Sequence, residues 1–158
     1  MAIYMKYGSI KGAVTTQGFA GWMELDTFQW GAARLIGSAQ GSQANRESST
    51  PTISEVTVTK QSDIATPNLF LEAVASQMNN EVTIKFTTTT KGTVETFLTF
   101  VFENTGLSHY SMTSQGEMPM EVLTLNFTKI SETFVGMDPA VSGSPQTVGY
   151  DLALLHTT

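Results

Sequence analysis

Apolar side chains fall on every second position in Val82-Thr83-Ile84-Lys85-Phe86 and in Leu123-Thr124-Leu125-Asn126-Phe127, the spacing of a strand that buries one face and wets the other. Runs rich in β-branched and aromatic residues, bounded by Gly, Asn, Ser or Pro, mark seven segments as strands: 3–7, 22–30, 53–60, 82–89, 94–103, 121–134 and 148–155. Two of them lose phase. In 22–30 the apolar row passes from Met23 and Leu25 to Phe28 and Trp30, and in 121–134 it passes from Phe127 to Ile130 and Phe134. A one-residue slip is what a β-bulge produces, and bulges bend strands so that a sheet can close on itself. The pattern predicts a mainly β fold, a closed or nearly closed β-barrel of two sheets.

One segment carries helical spacing instead. Thr66 suits an N-cap, Pro67 the first helical position, and Leu69, Phe70, Ala73 and Val74 form an apolar stripe that reads as core packing. This predicts one flanking α-helix, ending near Asn79, over an open side of the barrel. Between Gly31 and Thr52 lies a stretch too long for an ordinary connection, a long extended loop of the kind that is often functional. A second loop, 138–146, reads as a surface crossover. Trp22, Phe28 and Trp30, with Pro67, Leu69 and Phe127, are the expected structural core. Lys60 and Asp63 bracket the turn into the helix, where an exposed ion pair would contribute only about 0 to 1 kcal/mol.

Length and composition sharpen this picture. The 158 residues fit a single domain, 1–158. Charged residues make up 14%, well below the roughly 25% of an average soluble protein, so large areas can be buried against neighbours at low desolvation cost. The net charge of −6 and the scattering of eight basic residues exclude nucleic acid and an anionic membrane surface as partners. The start, Met1-Ala2-Ile3-Tyr4-Met5-Lys6, is not a signal peptide, so the chain is expected in the cytoplasm or to leave by a route without a cleaved signal. With no cysteine there is no disulfide framework, thiolate metal site or cysteine nucleophile.

The supply of catalytic groups is equally thin. Of two histidines, His156 sits two residues from the end and His109 lies in what reads as an exposed turn. No nucleophile elbow, phosphate-binding loop or dinucleotide fingerprint is present. Glu24 and Asp26 read as a solvated strand face. The expectation is a chain with no catalytic, cofactor or metal site.

Several stretches, read in order, resemble one family. Met1-Ala2-Ile3-Tyr4-Met5-Lys6 with Ile10-Lys11-Gly12, and Gly21-Trp22-Met23-Glu24-Leu25 with Phe28-Gln29-Trp30-Gly31, look like its opening strands. Val58-Thr59-Lys60, Asp63 and Thr66-Pro67-Asn68-Leu69 look like its strand-to-helix junction, and 123–130 with Tyr150-Asp151-Leu152 complete the order. The chain thus resembles the haemolysin-coregulated protein family, Hcp, of type VI secretion systems. It departs from many members at Ala13-Val14 after Lys11-Gly12, and at Ser76-Gln77-Met78-Asn79, where relatives often carry Gly.

The resemblance implies a bacterial homohexameric ring that stacks into a hollow tube, driven out by a contractile sheath, tipped by a VgrG-like spike protein and carrying effector proteins in its lumen. On that basis the long loop, through Arg34, Ser38, Gln43, Arg46 and Glu47, is expected to fix ring stacking. Thr27 and Gln29, opposite Phe28 and Trp30, are expected on the lumen wall as a cargo face. The nearest rival is a tail-tube protein of another contractile injection system or phage. A small ligand-binding β-barrel using Tyr110 or Tyr150 is a rival of another class, and an enzyme is the least favoured.

Overall fold

The alternating rows become the inner faces of two sheets in the computed structural model, which describes residues 1–37, 49–136 and 144–158. In chain order the elements are β1 (Ala2–Tyr7), β2 (Met23–Leu25), β3 (Thr27–Gln29), β4 (Ala32–Ala33), β5 (Thr52–Ile53), β6 (Val56–Gln61), α1 (Thr66–Ala75), β7 (Asn80–Thr90), β8 (Thr93–Thr113), β9 (Met120–Asn126), β10 (Lys129–Phe134), β11 (Gln146–Asp151) and β12 (His156–Thr157). One sheet runs β12-β11-β10-β8-β7-β1-β2, and the second runs β3-β6-β9-β8, all antiparallel. The long strand β8 belongs to both. Its first half pairs with β7 and β10, its second half with β9.

Cross-strand register builds the core. Tyr7, Met5 and Ile3 stand opposite Val82, Ile84 and Phe86, which stand opposite Phe102, Phe100 and Leu98. From the other sheet Val56 and Val58 stand opposite Leu125 and Leu123. Phe28 bridges the layers, 5.0 Å from Phe100 and 5.2 Å from Phe86 between ring centres.

The phase slips have a different cause from the one expected. At Asp26 the chain leaves the first sheet, where β2 pairs with β1, and enters the second, where β3 pairs with β6. At Phe127-Thr128 it crosses back, from β9 to β10. Each slip is a change of sheet, so 22–30 and 121–134 are each two strands. Of the closed or nearly closed barrel expected, the closed form is therefore not seen. The ladder forks at β8, and its ends β2 and β3 meet at Asp26, whose N–H donates to Thr59 O at 2.8 Å. True register shifts occur elsewhere, within β7–β8 and between Leu107 and His109 on β8.

Between its halves β8 bends at Asn104, whose φ of 52° lies in the left-handed region that Asn tolerates and whose amide donates to Thr128 Oγ1 at 2.8 Å. Gly106 follows because a Cβ there would come within 2.8 Å of Met78 Cγ and Ser76 Oγ beyond the helix end. The segment read as a turn around His109 is thus strand, with His109 exposed on it. At the other end of the chain, 152–155 forms a turn, so the last expected strand stops at Asp151.

The helix closes one end of the core. Its cap is Ala65 with no side-chain cap bond, and it stops at Ala75, short of Asn79. Ala65 and Leu69 are buried and Ala73 packs on them, one row at i, i+4 and i+8. Phe70 and Val74, expected in that row, point out and are exposed.

Beneath the helix lies the chief electrostatic feature of the fold. The inward rows of β6 and β9 end in Lys60 and Glu121, which stand directly opposite each other and are 1% and 0% exposed. Lys60 Nζ donates to Glu121 Oε2 (2.7 Å), Asp63 Oδ1 (2.9 Å) and Gln61 O (2.7 Å). Tyr110 donates to Glu121 Oε1 at 2.6 Å. The Lys60–Asp63 pair read from sequence is therefore present, but as part of a largely buried network in which Glu121 is the second acid. Under the other side of the helix Glu72 accepts from Tyr7 (3.3 Å) and Asn80 (3.1 Å). Burial first, and then the neighbouring Glu72 carboxylate, pushes the Tyr7 hydroxyl well above the ordinary tyrosine value; burial and then Glu121 do the same to Tyr110.

Removing one partner of the buried pair strands the other charge, so Glu121→Leu should lower unfolding free energy by about 3 to 5 kcal/mol. Lys60→Met combined with Glu121→Leu should recover most of that loss, as urea unfolding of the three proteins will show. The tyrosine shifts carry a sign as well. A raised pKa in the folded state holds stability fully at neutral pH and loses it as pH climbs past the ordinary value of about 10, because unfolded tyrosines ionise first. Absorbance titration of the native protein should show a late-ionising component that Tyr7→Phe and Tyr110→Phe remove, and the unfolding midpoint should fall above about pH 10.

Candidate functional site

Three surfaces stand out by what they present, and each follows from the strand plan. The first is an arm. The stretch after Gly31 is not wholly irregular: β4 and β5 pair as Ala32 with Ile53 and Ala33 with Thr52. The pairing continues outward, with Leu35 N–H donating to Ser49 Oγ and Ser49 N–H donating to Leu35 O, both at 2.9 Å. At its root Gly31 N–H donates to Ser54 Oγ at 2.8 Å. Arg34 is exposed on this ribbon, whereas Ser38, Gln43, Arg46 and Glu47 lie outside the described residues, as do 138–143 of the second loop.

Where the arm meets the body, Trp30, Pro51 and Ile53 face Ile130, Val148 and Tyr150 across an apolar groove of about 220 Å³. One wall comes from β10 and β11, which continue the first sheet beyond β8. Trp30 is partly buried against Phe100, 5.6 Å away, and forms one wall.

The second surface is the outward face of β3, β6 and β9. Register aligns Thr27 with Thr59 and Val122, and Gln29 with Thr57 and Thr124. Thr27 and Gln29 are exposed, and the Thr27 and Thr59 hydroxyls bond at 2.7 Å. His109, opposite Thr124, is the only titratable residue among these positions. This is a polar wall almost free of charge.

The third is the outer side of α1. Ile64, Phe70, Leu71, Val74 and Met78 are exposed, with Met112 of β8 also bare, while Glu72, the only charged residue of the helix, turns inward. Contiguous apolar surface of this kind marks an interaction face more often than a solitary monomer surface.

The remaining residues singled out from sequence separate cleanly. Leu69 and Phe127 are in the buried core, and Phe28 packs against it. Pro67 is exposed in the first helical turn and contributes backbone geometry, not core volume. Trp22 lies outside the core: it sits on the outer side of the first sheet, edge-on to Phe19 at 5.2 Å and under the Lys85 ammonium at 5.5 Å. Sequence reasoning named Tyr110 only as a possible ligand-binding aromatic and missed Glu121, although Glu121 occupies the apolar phase of its strand, a signal visible in Glu121-Val122-Leu123-Thr124-Leu125.

Glu24 and Asp26 are exposed, His109 and His156 are exposed and apart, and the groups with shifted titration are tyrosines that serve as donors. Among the described residues no cluster of three or more His, Cys, Asp or Glu could hold a metal ion, and no helix is long and apolar enough to cross a membrane.

Comparison with known proteins follows the same lines. The family model described as "Type VI secretion system effector, Hcp" matches residues 4–134. Among curated proteins none matches the chain in sequence. Among solved structures, one described as a type six secretion system protein superposes with a TM-score of 0.88 at 22% identity, over 99% of each chain. Hcp1 from Salmonella typhimurium superposes at 0.76 with 16% identity, over 99% of this chain and 98% of its own. A type VI secretion system effector from Yersinia pestis gives 0.73 at 16% identity, over 94% and 98%. At these identities the superpositions speak to the fold, and the family match speaks to descent.

Proposed function

Because the chain belongs to the Hcp family of type VI secretion, we propose that it is the repeating subunit of a secretion tube, assembling as hexameric rings that stack and carry effector proteins in the lumen. The family is one of structural tube proteins, not enzymes. The observation that carries the reading is the family match over residues 4–134, which spans both sheets and the helix, from β1 through β10. The match to a type VI family also favours this reading over a tail tube of another contractile particle. Low charge, a bare apolar helix face and a projecting arm support assembly, since each lowers the cost of burial against a neighbour or leaves surface that needs one.

In this reading the whole chain, 1–158, works as one tube domain made in the bacterial cytoplasm and exported with the tube, inside a contractile sheath and beneath a spike protein. The arm, with Arg34 and the segment holding Ser38, Gln43, Arg46 and Glu47, reaches the neighbouring ring. The mainly uncharged wall carrying Thr27 and Gln29, with Glu55 at its margin, lines the lumen. Such a wall suits cargo of varied surface charge, because it neither repels nor traps one sign.

Light scattering after gel filtration of the untagged protein should give six times the 17.1 kDa of one chain, with annular images from the same peak; a monomer at high concentration would refute the reading. Deleting 38–43 should leave those rings intact and reduce their stacking. Gln29→Arg should weaken effector retention in pull-downs without changing ring mass, and normal retention would remove this wall from the lumen.

A further inference from the structure

The arm carries an apolar pair that its own chain leaves bare. Leu35 is 81% exposed and Ile36 50%, although both sit on a ribbon held by the Leu35–Ser49 hydrogen bonds. At the root of the same arm the groove walled by Trp30, Pro51, Ile53, Ile130, Val148 and Tyr150 is open and almost wholly apolar. Its volume of about 220 Å³ is below the roughly 300 to 1,000 Å³ of small-molecule sites and suits inserted side chains. Within one chain the knob does not fill the groove, as the exposure of Leu35 shows. Charge agrees with a match between copies: exposed Arg34 precedes the knob, and Glu132 lines the groove.

We propose that Leu35 and Ile36 of one copy seat in the Trp30–Val148–Tyr150 groove of a second copy, with Arg34 meeting Glu132, and that this contact repeats along the stack. It rests on the tube reading and names the receiving surface for the arm. A knob out along an arm and a groove at its root form a heterologous contact, in which different patches of identical chains meet; such a contact repeats without closing when the step between copies is mainly a translation. Burying the two aliphatic side chains supplies the attraction, and the pairing of Arg34 with Glu132 favours one polarity of the contact.

The chain has no cysteine, so Leu35→Cys combined with Val148→Cys reports the contact directly. Both positions are exposed, and the pair should not disturb folding. After mild oxidation of assembled protein, non-reducing gels should show a ladder continuing past six chains, absent from either single variant. A ladder that stops at six, or no ladder in protein that images show to be assembled, would overturn the proposal. A long ladder without six-subunit annuli would keep the contact and retire the hexameric reading, and a wild-type chain that stays monomeric would end both.

Discussion

The buried pair of Lys60 and Glu121 is the constraint around which the fold is arranged. Two charges placed directly opposite each other on the inward faces of β6 and β9 cannot be left unpaired in an apolar interior, where the penalty for an isolated ion far exceeds that for any missing apolar contact. Their remaining hydrogen-bonding capacity is met by Gln61 O, Asp63 and Tyr110. Asp63 in turn accepts from the N–H groups of Ala65 and Ala13, which fixes the entry to α1 and the segment after β1. One polar cluster thereby ties together both strands of a sheet, the second half of β8, the helix and a distant loop. Shifting β6 against β9 by one residue would carry every inward side chain of the moved strand to the outer face and part the charges. The pair is a weak source of net stability and a strong selector of register.

That selection explains which parts of the fold were legible in the sequence. Alternation located the strands because Val82, Ile84, Phe86 and Leu123, Leu125 keep phase with the core. The slips at Leu25–Phe28 and Phe127–Ile130 were legible too, but a slip records only that the buried face changes. It does not say whether the chain bulges within one ladder or moves to another, and here it moves. Gly106 misled the reading of 106–110 because a glycine often signals a turn, whereas its role is to let β8 pass close to Met78 and Ser76. The helix misled in a subtler way. Leu69, Phe70, Ala73 and Val74 fit one apolar stripe, yet small Ala65 and Ala73 flank Leu69 in the row that touches β8, leaving the larger side chains outward. Ala at these positions allows close approach to the sheet, and residue size in the row, not hydrophobicity alone, decided the facing.

The candidate surfaces were less legible than the fold. Thr27 and Gln29 followed from alternation against Phe28, but the wall they join needs Thr57, Thr59 and Thr124 from two other strands, and only register reveals it. The arm was visible as length. Its apolar pair Leu35-Ile36 was read as part of a polar loop, because a groove on β10 and β11, far along the chain, gives the pair its meaning. Trp22 shows the converse: an aromatic at a strand start suggested core, and the outer packing on Phe19 and Lys85 depends on a loop that sequence periodicity does not describe.

A chain that stays alone in water gains by covering its apolar side chains with charge, and this chain does the opposite. Glu72, the single charge on α1, is spent on Tyr7 and Asn80 beneath the helix, while Phe70, Leu71 and Val74 face outward without a charged neighbour on the same element. Lys60, Glu121 and Asp63 are likewise turned inward, each held by a partner within the fold. These four charges fix the subunit's own geometry and leave the outer face of α1 without charge. Apolar and uncharged polar surface carries a small desolvation cost on burial, so contacts between copies can be extensive without needing exact ion pairing at every step. Specificity then has to come from shape and from the few charges left at a contact, and the ribbon at β4–β5 with the groove at its root offers both, through Leu35 and Ile36 beside Arg34 and through the apolar walls beside Glu132.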